Sequence, residues 1–215
     1  DSVAEDEWGE CGVKARALEP LDDHCLLEAA LRHESYIVEN QAHFDRMRAS
    51  AKELGFPFAE NRWICPDLEE ESSIVRILGS RSGALRFEER PYREWKEPIS
   101  GRLCPWPVHS ISLKLRHKTT RRAIYDRAKR EFRDVDEVLL WNERGQVTDF
   151  TPGSVAGKLG GRLYPPPLSC GLLPGIEVAA KQIPERGITL SDLRKAKKIY
   201  HANSVRGFTL VNLEF

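Results

Sequence analysis

The sequence predicts an α+β fold. Three observations predict it: pairs of short apolar runs repeatedly flank turn residues, as antiparallel hairpins do; two stretches carry helical spacing; and these helices stand apart from the hairpins instead of alternating with single strands, as a doubly wound parallel sheet requires.

Taken in order, residues 1–20 are acidic and then basic, and read as a short helix, an ordered arm or a frayed terminus, closed by Pro20. Residues 25–40 hold two apolar runs around a polar turn at Arg32 to Ser35. A helix follows from Asn40 to Leu54, with Ala42, Phe44, Met47, Ala51 and Leu54 as its apolar stripe and Gly55 as its stop. PDLEEES at 66–72 suits a short helix. Ile74 to Leu78 and Ala84 to Phe87 form a hairpin turned at Arg81, Ser82 and Gly83. Prolines 91, 98, 105 and 107 predict a loop over 89–107. This divides the chain into an arm at 1–20, a small α+β lobe at 21–105 and a larger lobe at 106–215.

The larger lobe opens with a strand around Val108 to Leu113 and a helix from Thr119 to about Phe132. The clearest hairpin pairs Glu137 to Trp141 with Gln146 to Asp149 across Asn142 to Gly145. Val155 to Leu159 and Arg162 to Tyr164 form another, joined by Gly160 and Gly161. After a proline-rich loop a helix follows Gly175, Ser191 caps a helix running to Lys197, and Ile199 to Ala202 and FTLVNLEF are the last strands.

Charge and composition exclude several function classes. Thirty-three basic residues balance 33 acidic ones, so the chain lacks the basic surplus of a dedicated nucleic-acid binder. Its apolar runs fall far short of the roughly 20 residues a bilayer demands, and the expectation is a soluble protein with no membrane partner. Five scattered cysteines, with no C-x-x-C pair and no histidine at zinc spacing, read as free thiols in a reducing cytoplasm, with no metal site. GSVAGK at 153–158 has three residues between its glycines where a phosphate loop has four, and Leu159 where that loop has Ser or Thr.

The informative stretch is KLRHKTTRRAIY at 114–125. Lys118 stands before the expected helix, and a desolvated lysine among cations gives up its proton readily and becomes a nucleophile. By itself the run reads equally as a phosphate-contacting patch.

Five segments in order resemble the class IV (fold type IV) pyridoxal-phosphate enzymes: residues 26–58, HKTTRRAIYDRA at 117–128, DEVLLWNERGQVTDFTPGSVA at 136–156, PPLSCGLLPG at 166–175 and NSVRG at 203–207. That family holds 4-amino-4-deoxychorismate lyases, branched-chain aminotransferases and D-amino-acid aminotransferases, and the chain is most similar to the lyases. The resemblance implies a two-lobed fold like that of D-amino-acid aminotransferase, a pyridoxal 5'-phosphate cofactor, a small-molecule substrate and a homodimer. It implies conversion of 4-amino-4-deoxychorismate to p-aminobenzoate and pyruvate, in folate biosynthesis. Amino transfer from D-amino, branched-chain or other amines, or a non-catalytic relative, are the alternatives.

By the same resemblance Lys118 holds the cofactor covalently and moves protons. Arg46, in the H-x-x-R of His43 to Arg46, binds its phosphate with Gly175, Ile176, Asn203 and Ser204, and Asp149 sits beside the pyridine nitrogen. Asp149 stands where the family has glutamate, Ser154 where asparagine is usual and Val178 where many relatives have arginine. Arg206 reads as a substrate-carboxylate clamp or a structural ion pair, His117 as a substrate contact or a packing histidine, and Tyr36 as a pocket wall or a half-buried strand tyrosine. Tyr125 reads as core packing, and His33 and Trp141 as structural. The opening DSVAEDEWGECGVKA resembles the last motif of chorismate-utilising synthases; Glu7, Glu10 and Lys14 are then a vestige or junction of a fused synthase domain.

Overall fold

The computed structural model describes residues 24–33, 36–63 and 72–215. The expected arm at 1–20 and most of the helix expected over 66–72 lie outside the described residues.

A four-stranded antiparallel sheet comes first. Its strands are β1 (Leu26–His33), β2 (Tyr36–Ile37), β3 (Ser72–Gly79) and β4 (Leu85–Pro91), in the order β2-β1-β3-β4. Helix α1 (Asn40–Leu54) ends at Gly55, whose φ of 68° is the left-handed conformation glycine adopts freely. The helix lays Met47 and Ala51 on Leu26, Ala30, Val75 and Ile77. Because side chains alternate along a strand, Leu27 and Ala29 of β1, with Ile74 and Arg76 of β3, face the other way, into a cavity.

The second sheet has seven strands: β5 (Ile99–Leu103), β6 (Glu137–Trp141), β7 (Val147–Phe150), β8 (Gly153–Leu159), β9 (Arg162–Tyr164), β10 (Ile199–Asn203) and β11 (Gly207–Glu214). They run in the order β10-β11-β5-β6-β7-β8-β9, and β10 also pairs with β8. The sheet therefore closes on itself through six strands, with β9 outside the ring. Leu139, Val147, Phe150, Val155, Ile199 and Val211 form its core. Between strands lie α2 (Leu113–Arg116), α3 (Ala123–Glu131), α4 (Ile176–Ala180) and α5 (Leu190–Arg194). The expected hairpins and the helix over 40–54 are all present.

Four expectations are corrected. The stretch 89–107 contains a strand at the middle of the larger sheet, β5, pairing in parallel with β11 and β6. Its flanking prolines, Pro98 and Pro105, sit outside the ladder, and Gly101 lets β11 approach, since a Cβ there would lie 2.6 Å from Val211. Ile99–Leu103 thus pairs with elements of residues 106–215 although it precedes the expected boundary at 105. Around Val108 there is a single bridge, to Asn142, and then the turn of α2 in place of a strand.

Lys118 does not open a helix. It lies in an extended segment tied to β1: Leu27 N–H donates to Lys118 O at 2.9 Å, Thr120 N–H donates to Cys25 O at 2.9 Å, and Cys25 N–H donates to Thr120 Oγ1 at 3.0 Å. Those bonds hold 118–120 extended and delay α3 to Ala123. Finally, Thr189 and not Ser191 caps α5, because Asp192 three residues on completes a reciprocal capping box.

Candidate active site

The cavity between the two sheets has a volume of about 410 Å³ and is walled by β1, β3, β7, β8, α1, α4 and the turn after β10. Lys118, Arg46, Asp149, Gly175, Ile176, Asn203, Ser204 and Arg206 all line it. A larger cavity of about 740 Å³ beside α2 and α3 contains neither Lys118 nor Asp149.

Lys118 enters from the extended segment, its side chain 16 % exposed. Burial pushes its ammonium down to about 8; Glu28 opposes this, while Arg46, Arg122 and Arg76 reinforce it. Asp149, near the end of β7, lines the same cavity and is 5 % exposed. Burial pushes its carboxyl up to about 7, against the Leu173 N–H, the Ser154 hydroxyl, Arg46 and Arg122. Leu173 N–H donates to Oδ2 at 3.0 Å, whereas Oδ1 is buried with no partner. An orphaned carboxylate oxygen on a residue that lines a cavity is the fit expected for a ring N–H.

The acid that holds Arg46 and Lys118 is Glu28, which the sequence reading missed. His43 and Arg46, three residues apart on one face of α1, both reach it. Arg46 Nε donates to Oε1 at 2.8 Å and Nη2 to Oε2 at 2.6 Å, and Nη1 donates to Pro174 O at 2.6 Å. Three of the guanidinium's five N–H groups are thereby used. The two left are what Arg46 offers an anion, so its fork belongs to Glu28 and the phosphate role reduces to the remaining edge.

Burial works against ionised Glu28, but the charges of Arg46 and Lys118 and hydrogen bonds from Arg46 and His43 outweigh it and hold the carboxyl below its usual range. His43 lies 2.8 Å from Oε2 through Nδ1; burial lowers it, so it is a neutral imidazole whose Nδ1 carries the donated proton. The one available signal was a glutamate inside the apolar run LLEAAL.

At the third wall, Gly175 precedes α4, and a Cβ there would lie 2.4 Å from Ser154 Oγ, so glycine and serine fit one another. Val178 packs beside them, 3.6 Å from the same point. Asn203 spends its Oδ1 on the N–H groups of Val205 and Arg206 at 3.0 and 2.9 Å, which shapes the turn. Ser204 Oγ donates to Ala29 O at 3.4 Å. The Arg206 guanidinium lies 4.3 Å over Trp95 and 5.7 Å from Tyr92, with its buried Nε unpartnered.

The structure does not bring His117 or Tyr36 here. In an extended segment successive side chains point to opposite sides, so His117 enters a separate cavity, where Nδ1 meets Ser50 at 3.1 Å and Nε2 lies 3.5 Å from Glu53. Tyr36 is 54 % exposed and packs edge-on against His33. Tyr125 is buried as expected, yet it also lines the cavity. Sequence reasoning also missed Arg76, Arg90 and Arg122. Six cations, these three with Arg46, Lys118 and Arg206, line the cavity against one carboxylate, Asp149. Arg76 pairs with Glu88 at 2.9 Å; among the described residues Arg90 and Arg122 form no ion pair. Nor does any group of three His, Cys, Asp or Glu among the described residues form a metal site.

Comparison with known proteins gives the family and the fold. The model of the class IV amino-transferases matches residues 82–213. A candidate aminodeoxychorismate lyase of Schizosaccharomyces pombe is 28 % identical over 191 residues, 77 % of this chain and 79 % of that protein. The crystal structure of a candidate amino-acid aminotransferase from Mesorhizobium loti is 30 % identical, with a TM-score of 0.82 over 89 % of this chain and all of that one. A candidate 4-amino-4-deoxychorismate lyase from Legionella pneumophila, 20 % identical, shares the fold with a TM-score of 0.78 over 91 % of this chain and 88 % of that one. With Lys118 and Asp149 lining one cavity, and with the family model spanning most of its length, the chain is an enzyme of the class IV aminotransferase family.

Proposed function

We propose that the protein is a pyridoxal-phosphate-dependent lyase that converts 4-amino-4-deoxychorismate to p-aminobenzoate and pyruvate, a step of folate biosynthesis. The observation that carries the reading is that Lys118 and Asp149 line one cavity together with more arginines than a monocarboxylic amine needs. The substrate carries two carboxylates; Arg206 on its aromatic platform and the Arg90–Arg122 edge supply a cation for each.

The residues present suit the cofactor. Arg46, with two free N–H groups, Ser204 and the Gly175–Ile176 turn would hold the phosphate, and Asp149 Oδ1 would accept the ring N–H. Pyridoxal phosphate, when bound, supplies an electron sink for the pair released at the amine-bearing carbon. The Leu173 N–H fixes one Asp149 oxygen and leaves the other for that ring N–H. Lys118 Nζ, with its proton affinity reduced by burial, takes the proton from that carbon and returns one where it is required. Loss of pyruvate leaves an aromatic ring, and aromatisation supplies the driving force.

A second reading, amino transfer, is favoured by the likeness to the Mesorhizobium loti protein. The two are separated by supplying purified protein and cofactor with 4-amino-4-deoxychorismate, and in parallel with D- or L-amino acids plus a keto acid. Release of p-aminobenzoate supports the lyase; amino transfer without it overturns that reading. The non-catalytic alternative has less support, because Asp149, Ser154 and Gly175 fit one another. A reducing cytoplasm suits the free thiols Cys25, Cys104 and Cys170, and exposed Tyr36, Ile111 and Leu168 suit a homodimer contact. No described helix is long and apolar enough to cross a membrane.

A further inference from the structure

The geometry points to Glu28 as a positioning residue for both reactive ends of the site: it aims the Arg46 guanidinium at the cavity and tethers the Lys118 amine beside it. This rests on the reading of Arg46 and Lys118 above.

Glu28 is 1 % exposed, in the middle of β1, on the face that carries Leu26 and Ala30 against α1. A carboxylate among such neighbours costs stability unless it is fully partnered. An ion pair with Arg46 alone would satisfy a purely structural role. Oε2, however, is shared three ways: Arg46 Nη2 at 2.6 Å, His43 Nδ1 at 2.8 Å and Lys118 Nζ at 3.9 Å. Neutral His43 contributes a hydrogen bond without charge, so the negative charge is divided between the guanidinium and the ammonium.

Two consequences follow for the site. By taking Nε and Nη2 of Arg46, Glu28 fixes the plane of the guanidinium and decides which N–H groups remain for an anion. The charges acting on Lys118 are Glu28 from β1, Arg46 from α1, Arg76 from β3 and Arg122 before α3. Glu28 alone favours the ammonium, so it sets how far burial and the three arginines lower the proton affinity of the amine. Removing its charge releases that restraint and frees Arg46 to turn.

The test compares Glu28→Gln and Glu28→Asp with the unaltered protein. In cofactor-free protein, the pH dependence of Lys118 modification by an amine-reactive reagent, mapped by mass spectrometry, reports its titration. In Glu28→Gln the midpoint moves down by about one unit or more. Affinity for pyridoxal phosphate, read from the visible band of the lysine-bound cofactor, weakens about tenfold. Glu28→Asp keeps the charge and shortens the reach, so its midpoint stays near that of the unaltered protein while affinity falls. A Glu28→Gln protein with unchanged midpoint and affinity, losing only thermal stability, overturns the proposal. Where Glu28→Gln does not fold, unchanged affinity in Glu28→Asp overturns it. Failure of the unaltered protein to take up cofactor at Lys118 sinks the functional reading instead, and leaves the midpoint comparison in the cofactor-free proteins intact.

Discussion

The Leu173 N–H donates to Asp149 Oδ2 at 3.0 Å and leaves Oδ1 buried without a hydrogen-bond partner, in a residue that lines the same cavity as Lys118. One backbone donor from the loop before α4 thus fixes one oxygen of the carboxyl. Replacing Asp149 by Asn removes the charge that would hold a ring proton and should lower kcat about a hundredfold or more, measured as product release at saturating cofactor. Glu at this position, restoring the family residue, should recover more activity than Asn.

Asp149 also predicts a pH dependence of stability in the cofactor-free protein. Its carboxyl titrates near 7 when folded and at the ordinary 3.8 when unfolded, so the native state holds an extra proton between those values. Stability from this group is therefore full below 3.8 and is lost as pH rises toward 7. The difference in melting temperature between unaltered protein and Asp149→Asn should change across that window and level off above it.

Lys118→Ala should abolish the visible band of lysine-bound cofactor and lower activity about a thousandfold or more, because both the covalent anchor and the proton carrier are lost. A spectrum of the protein before and after borohydride reduction checks it. A variant that retains the reducible band places the covalent anchor elsewhere.

The arginine edge separates the two enzymatic readings. Arg90→Ala should raise KM for a dicarboxylic substrate about tenfold, with little change in cofactor affinity, since each charge-assisted hydrogen bond contributes roughly 1.5–3 kcal/mol. A simple amino acid should feel the change less. Steady-state kinetics on both substrates measure it, and equal effects on both would contradict the assignment.

Thr189→Ala should cost about 1 kcal/mol by removing the capping box that starts α5. α5 packs Leu193 into the core of the larger sheet, so thermal denaturation detects the loss. Ser191→Ala, at the position the spacing suggested, should change stability little.

By itself the sequence determined what short-range patterns carry. The helix over 40–54 with its glycine stop, the hairpins around Gly83, Gly145 and Gly160, the lysine-centred motif and the family resemblance are all written in neighbouring residues, because periodicity, turn chemistry and motif spacing are local. Tertiary structure decided the rest. β5 is invisible along the chain because its partners, β11 and β6, are distant in sequence and its flanking prolines imitate a loop. Lys118 is held by β1, about ninety residues earlier, through backbone bonds that no helix rule anticipates. Glu28 acquires its meaning only when β1, α1 and the Lys118 segment come within hydrogen-bonding and ion-pair distance. His117 and Lys118 are neighbours in the chain and face different cavities, because an extended backbone sends consecutive side chains to opposite sides.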